Sequence, residues 1–152
     1  MFKYKKVRRI SSTLLEDANK RYIVSVDNHV DLMEALEAFC RQLGVHCGQV
    51  RGIGAVSGAT FRMYDPATKQ YVDKTFSEQM EITNLTGNIS RMDGKPYLHV
   101  HATCSRADYG CVGGHLLGAQ INGACELLVD SFGDTAVGRE YDPETGLNLY
   151  KF

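Results

Sequence analysis

No apolar run in the sequence approaches the roughly 18 residues that a membrane-spanning helix needs, and Met1-Phe2-Lys3-Tyr4-Lys5-Lys6 leads into no apolar core of the signal-peptide kind. The cytoplasm is the expected location, with no membrane partner. Paired cysteine spacing is absent as well. Cys40, Cys47, Cys104, Cys111 and Cys125 are odd in number and form no C-x-x-C, so they read as reduced thiols, most of them small buried hydrophobes. Nor is there an excess of charge of one sign. Seventeen Lys and Arg against eighteen Asp and Glu leave a net charge of −1, and no overall field draws the chain to a phosphate backbone. The one basic cluster, residues 3–10 with Lys3, Lys5, Lys6, Arg8 and Arg9, reads first as a solvated edge strand and second as a phosphate contact.

Two further absences narrow the reading. No repeat or low-complexity linker divides the chain, and 152 residues with 43% apolar and 23% charged content suit one domain, residues 1–152, around one core. A dinucleotide fingerprint is also missing. Gly52 and Gly54 begin one, but the next glycine is Gly58, and residues 59–64 read as strand where the fingerprint needs a helix. These glycines instead suggest a bulge or a close backbone approach.

What is present is a series of short strands with one strong helix. Residues 21–27 are rich in β-branched and aromatic side chains and end at Asp27-Asn28, which predicts a strand. Leu32, Ala35, Leu36, Phe39, Cys40 and Leu43 then recur at helical spacing. Asp31 and Glu34 suit the positive N-terminal end of that helix, and Gly44 suits its stop. A turn at Asp65-Pro66 to Lys69 precedes strands at 71–76 and 78–85, and Gly87 is expected to break or bend the second. Asp93-Gly94 signals a hairpin that sets residues 97–103 beside residues 81–90. Gly110, Gly113, Gly114, Gly118 and Gly123 argue against a helix, so that region is expected to begin as loop before a last central strand at 125–132. The tail is short and partly polar, with a turn at 142–146.

The residues that carry chemistry are histidines. His99 and His101 stand two apart in a predicted strand, so both imidazoles leave the same face with their roots about 7 Å apart. His115 follows a stretch containing Gly110, Gly113 and Gly114, which lets a third imidazole return over that face. Three neutral imidazoles around an open fourth position form a catalytic-type zinc site. The bland alternative, strand histidines satisfied by hydrogen bonds, stands beside it. His29 and His46 have no companion. Cys104 falls on the opposite strand face, and Cys111 depends on the path of a loop, so neither joins the set.

With these residues in place the sequence closely resembles the plants and prokaryotes conserved domain family (PPC, also DUF296), which carries a PD1-like DNA-binding label. The resemblance spans nearly the whole chain. It rests on Gly52-Ile-Gly-Ala55, Glu81-Ile82, Leu85-Thr-Gly-Asn-Ile-Ser90, Asp93-Gly-Lys-Pro96, His99-Val-His101 and Gly113-Gly-His-Leu116, in the family's order. It implies an α+β domain with a central, largely antiparallel sheet and few flanking helices, of the stand-alone prokaryotic type and assembled as a homotrimer. The fold is similar to that of the acetolactate decarboxylase superfamily, where an H-x-H pair and a later histidine hold zinc. By that resemblance His99, His101 and His115 are the metal ligands, with zinc or another divalent metal as cofactor. Glu81 and Glu126 are the carboxylates nearest a catalytic role, each reading first as a strand-face or interface group. Plant members add AT-hook tracts, and this chain has none. The leading expectation is therefore a metal-site protein with a small-molecule ligand or metal-dependent catalysis. A DNA-associated regulatory protein or an oligomeric interaction scaffold comes second, with DNA bound weakly.

Overall fold

The computed structural model describes residues 1–7, 19–133 and 135–152. Arg8, Arg9 and Ile10 of the basic segment lie outside the described residues. Alternation of apolar and polar side chains produces strands β1 (Phe2–Val7) and β2 (Lys20–Val26), in which Tyr22, Val24 and Val26 point inward. The helix α1 (Leu32–Leu43) forms where its spacing predicts. The Asp31 carboxylate accepts hydrogen bonds from the Met33 and Glu34 amides at 2.8 and 3.0 Å, and Gly44 ends the helix in the left-handed region at φ 65°. The buried face, Leu32, Ala35, Leu36, Phe39 and Cys40, meets the sheet. Phe39 sits edge-on to Phe2, Tyr4 and Tyr22 at 5.3, 5.9 and 5.3 Å between ring centroids.

After the helix come β3 (Gly48–Asp65), β4 (Gln70–Phe76), β5 (Met80–Met92), β6 (Lys95–Ser105), β7 (Cys111–Ser131), β8 (Gly138–Asp142) and β9 (Leu147–Lys151). With a single helix among the described residues, the chain is mixed α+β built on one large antiparallel sheet; only the Arg91–Gly138 contact of β5 with β8 is parallel. The pairing is cyclic in its middle: β3 with β5, β5 with β6, β6 with β7, and β7 again with β3. A ring of this kind leaves those four strands few open edges and encloses Val56, Ile82, Leu85, Val100, Leu116 and Ile121. The exposed Lys3, Lys5 and Lys6 lie on β1, which among the described residues pairs only with β2, as an edge strand would. Among the described residues no helix is long and apolar enough to cross a membrane.

Glycine explains most of the differences from expectation. β3 carries register shifts at Gly52/Gly54 against β5 and at Gly54/Val56 against β7, the predicted bulges, and a Cβ at Gly52 would lie 2.5 Å from the Glu126 carbonyl oxygen. Gly87 does not break β5. It stays in register with Val100, where a Cβ would meet the His99 carbonyl oxygen at 2.7 Å, so it serves close approach and the strand continues. The expected loop from Cys111 is strand from its first residue, and Gly113 within it makes room for the Ala102 backbone of β6. The tail forms a β8–β9 hairpin around the predicted turn, in which Asp142 accepts from the Thr145 amide at 2.9 Å.

Candidate metal centre

The β5–β6 hairpin turns at Asp93 and Gly94, both at positive φ, as an Asp-Gly pair favours. It places His99 opposite Asn88 and His101 opposite Thr86. Val100, Ala102 and Cys104 face the core, so His99, His101 and Thr103 share the outer face. β7 then brings His115 directly across from His101 on one side and Arg62 of β3 on the other. Gly113 and Gly114 lie inside β7 rather than in a hinge before it. Gly113 lets β7 approach β6, since a Cβ there would stand 2.4 Å from the Ala102 carbonyl oxygen.

The three imidazoles converge. Their ring centroids are 5.2 Å apart for His99–His101, 5.2 Å for His99–His115 and 5.4 Å for His101–His115, and one nitrogen from each lies within 4.8 Å of the others. The Nε2 atoms of His99 and His101 are 3.2 Å apart. Two nitrogens bound tetrahedrally to a zinc ion at its usual distance of about 2.0–2.1 Å are themselves about 3.4 Å apart, so this pair is spaced as ligands of one ion would be. His101 is exposed and the other two are half-buried, which leaves an approach from solvent.

Electrostatics favour neutral rings. Burial, then the neighbouring His99 and His101, push the His115 imidazole down to about 4, with Arg62 adding and Asp73 opposing. His99 is lowered by burial, by His101 and by Arg139. A neutral imidazole is the metal-binding form, so the lowering of His99 and His115 keeps those two rings ready for a cation.

Around it lie groups that the sequence pattern did not reveal. Arg62 makes a two-pronged pair with Asp73 on β4, at 2.7 Å from both Nε and Nη2, and stands over the Tyr71 ring at 4.7 Å. The β8–β9 hairpin spans from the end of β5 to the β3–β4 turn. There the Tyr64 hydroxyl donates to the Thr145 carbonyl, and the Lys69 ammonium donates to the Pro143 carbonyl at 2.7 Å. Arg139 of that hairpin lies over the rings of Tyr97 and Tyr150, 4.5 and 4.3 Å from their centroids. A tail read only for its turn gives no hint of this, although Arg139, Tyr141, Leu149 and Tyr150 flank that turn with strand-like residues.

The other candidates lie elsewhere. Glu81 and Glu126 both line a separate cleft of about 620 Å³ with Ile53, Gln79 and Asn122, and none of the three histidines lines it. Cys104 is buried on the core face, as its parity predicts, and burial raises its thiol to about 11. Cys111 is exposed, with its thiol directed at the Tyr109 carbonyl. His29 is exposed beside Asn28, and His46 is half-buried just beyond α1.

A family model described as the Plants and Prokaryotes Conserved (PCC) domain matches residues 15–133. A solved structure from Bacteroides thetaiotaomicron, described as "a putative dna binding protein", is 46% identical with a TM-score of 0.89, covering 100% of this chain and 98% of that one. A metal-containing protein from Archaeoglobus fulgidus is 32% identical with a TM-score of 0.83, covering 100% and 99%. A plant- and prokaryote-conserved protein from Pyrococcus horikoshii, at 21% identity and a TM-score of 0.81 over 99% and 95%, shares the fold. A search of curated proteins finds no match.

Proposed function

The chain belongs to the Plants and Prokaryotes Conserved domain family, and from that premise we propose that it is a cytoplasmic metal-binding protein, residues 1–152 forming one domain, that holds zinc or another divalent ion through His99, His101 and His115. The convergence of three imidazole nitrogens within 4.8 Å carries the reading. An all-imidazole set suits zinc among the divalent ions, with copper, iron and nickel as competitors. The metal content of the Archaeoglobus relative supports it. Such an ion supplies Lewis-acid chemistry to a small molecule that reaches it. His99 and His115, half-buried, fix the depth of the site, and the exposed His101 borders its mouth. Assembly as a homotrimer belongs to the same proposal and would be read by light scattering, with a stable monomer at micromolar concentration refuting it.

Elemental analysis of protein purified without added metal tests the core of the reading. About one divalent ion per chain is expected, lost on His99→Ala; less than about one ion per three chains, unchanged in the variant, would sink it. A DNA-associated role is the second reading, favoured by the description of the Bacteroides relative. The net charge of −1 predicts weak, sequence-independent binding that fades as salt rises.

A further inference from the structure

We propose that Arg139 receives the oxyanion, a carboxylate or phosphate group, of the small molecule that occupies the three-histidine site. This rests on the reading of that site as one for a small molecule. It adds the class of ligand and the residue that selects it.

Placement comes first. Tyr97, His99 and His101 alternate along β6 and so leave the same face of the strand. Arg139 lies over the Tyr97 ring at 4.5 Å, which puts its guanidinium at the first position beyond the histidines on that face.

The guanidinium is also held in one pose. Nε donates to the Ser90 hydroxyl at 2.8 Å, and Nη1 donates to the Asn148 carbonyl at 2.8 Å. Ser90 is fully buried and lies opposite Tyr97 in the β5–β6 register, so this anchor belongs to the sheet. With the Tyr150 ring at 4.3 Å, an otherwise flexible side chain has both its direction and its plane fixed. A fork immobilised in advance loses little freedom when it meets a planar oxyanion.

Charge balance then points to the ligand. Arg62, the other arginine beside the cluster, is matched by Asp73 through two hydrogen bonds. Arg139 has no carboxylate partner among the described residues; its bonds go to a hydroxyl and a backbone carbonyl, and its Nη2 bonds neither. A guanidinium fixed in place beside the cluster, with no carboxylate to match it among the described residues, makes a region whose complement is an anion. The family model ends at residue 133, so this hairpin lies beyond the matched segment and can set ligand preference apart from the histidines.

The test uses the full chain, zinc-loaded and metal-free, titrated calorimetrically with malonate, inorganic phosphate and uncharged malonamide at constant ionic strength. Tighter binding of malonate or phosphate than malonamide by tenfold or more, reduced at least tenfold by Arg139→Gln and partly restored by Arg139→Lys, supports the proposal. The tighter of the two anions says whether carboxylate or phosphate is the intended group. No anion binding by the wild type, or binding by Arg139→Gln within twofold of wild type, overturns it. Zinc uptake is measured in parallel. If the wild type takes up none, the metal reading fails, and the metal-free titration alone decides the role of Arg139. Should Arg139→Gln not fold, the guanidinium nitrogen resonances of Arg139 in the wild type replace it. A shift with malonate and none with malonamide supports the proposal, and no shift with either overturns it.

Discussion

His101 and His115 are direct partners across β6 and β7, their rings 5.4 Å apart at 85°, so a backbone ladder sets the spacing of two candidate ligands. Replacing either with alanine should weaken metal retention by more than the ~10–100-fold typical of changes outside the ligand set. His29→Ala should retain metal like the wild type. Dialysis against a competing chelator, followed by elemental analysis, gives the comparison, and equal retention in all three variants would remove the shared site.

Gly113→Ala probes the same spacing from the backbone. The added Cβ would stand 2.4 Å from the Ala102 carbonyl oxygen and 3.0 Å from the Thr103 Cα, neither of which can rotate away. A destabilisation of about 1–3 kcal/mol is expected in urea unfolding. Metal affinity should fall with it, because β7 must move relative to β6. Gly94→Ala is a useful contrast, since a Cβ there meets nothing within 4 Å and the cost comes only from its φ of 78°.

The lowered imidazoles make the metal-free protein sensitive to acid. In the unfolded chain His115 titrates near its ordinary 6.5, and in the fold it is pushed down to about 4. Between those values the unfolded chain binds the extra proton, so stability falls as pH drops below about 6.5 and falls no further from this source below about 4. His99, also lowered, acts in the same direction. With partial solvent exposure allowed for, the loss from His115 is on the order of 1–2 kcal/mol. Urea midpoints at pH 7 and pH 4.5, with chelator present, should differ more for wild type than for His115→Gln; equal differences would refute the shift.

The five thiols should divide by access. Cys40 and Cys125 are buried and raised to about 12, and Cys104 to about 11, so their thiolates are scarce at neutral pH. Cys47 is nearly buried and also raised. Cys111 is exposed and should react alone with a disulfide reagent in the native state. Cys111→Ser should abolish that fast phase, and a second fast thiol in the variant would contradict the burial pattern.

The parts legible in the sequence were those that local chemistry decides. Helix α1 follows from one apolar stripe, one capping aspartate and one stop glycine, and the β5–β6 turn from Asp93-Gly94. The shared face of His99 and His101 follows from alternation alone. The extent of β7 was hidden because glycine is scored against regular structure, whereas Gly113 occurs here because a neighbouring backbone leaves no room for a side chain. The same ambiguity made Gly87 look like a break. Arg62 with Asp73, and Arg139 with Tyr97, are contacts made by tertiary pairing, and no local period marks them.

β7 imposes an order on events at the ribosome. It pairs with β2, β3 and β6, from the Arg21–Asp130 register at one end to His101–His115 near the other. Until residues as late as Asp130 and Ser131 have emerged, β2 and the beginning of β3 lack the neighbour that separates them in the finished sheet. The β5–β6 hairpin can form early, since its contacts are local, but the three-histidine cluster must wait for β7. Contacts this distant in sequence predict slow folding, in the millisecond-to-second range of non-local β topologies. During synthesis the apolar faces of β2 and α1 are the surfaces that a chaperone would meet first.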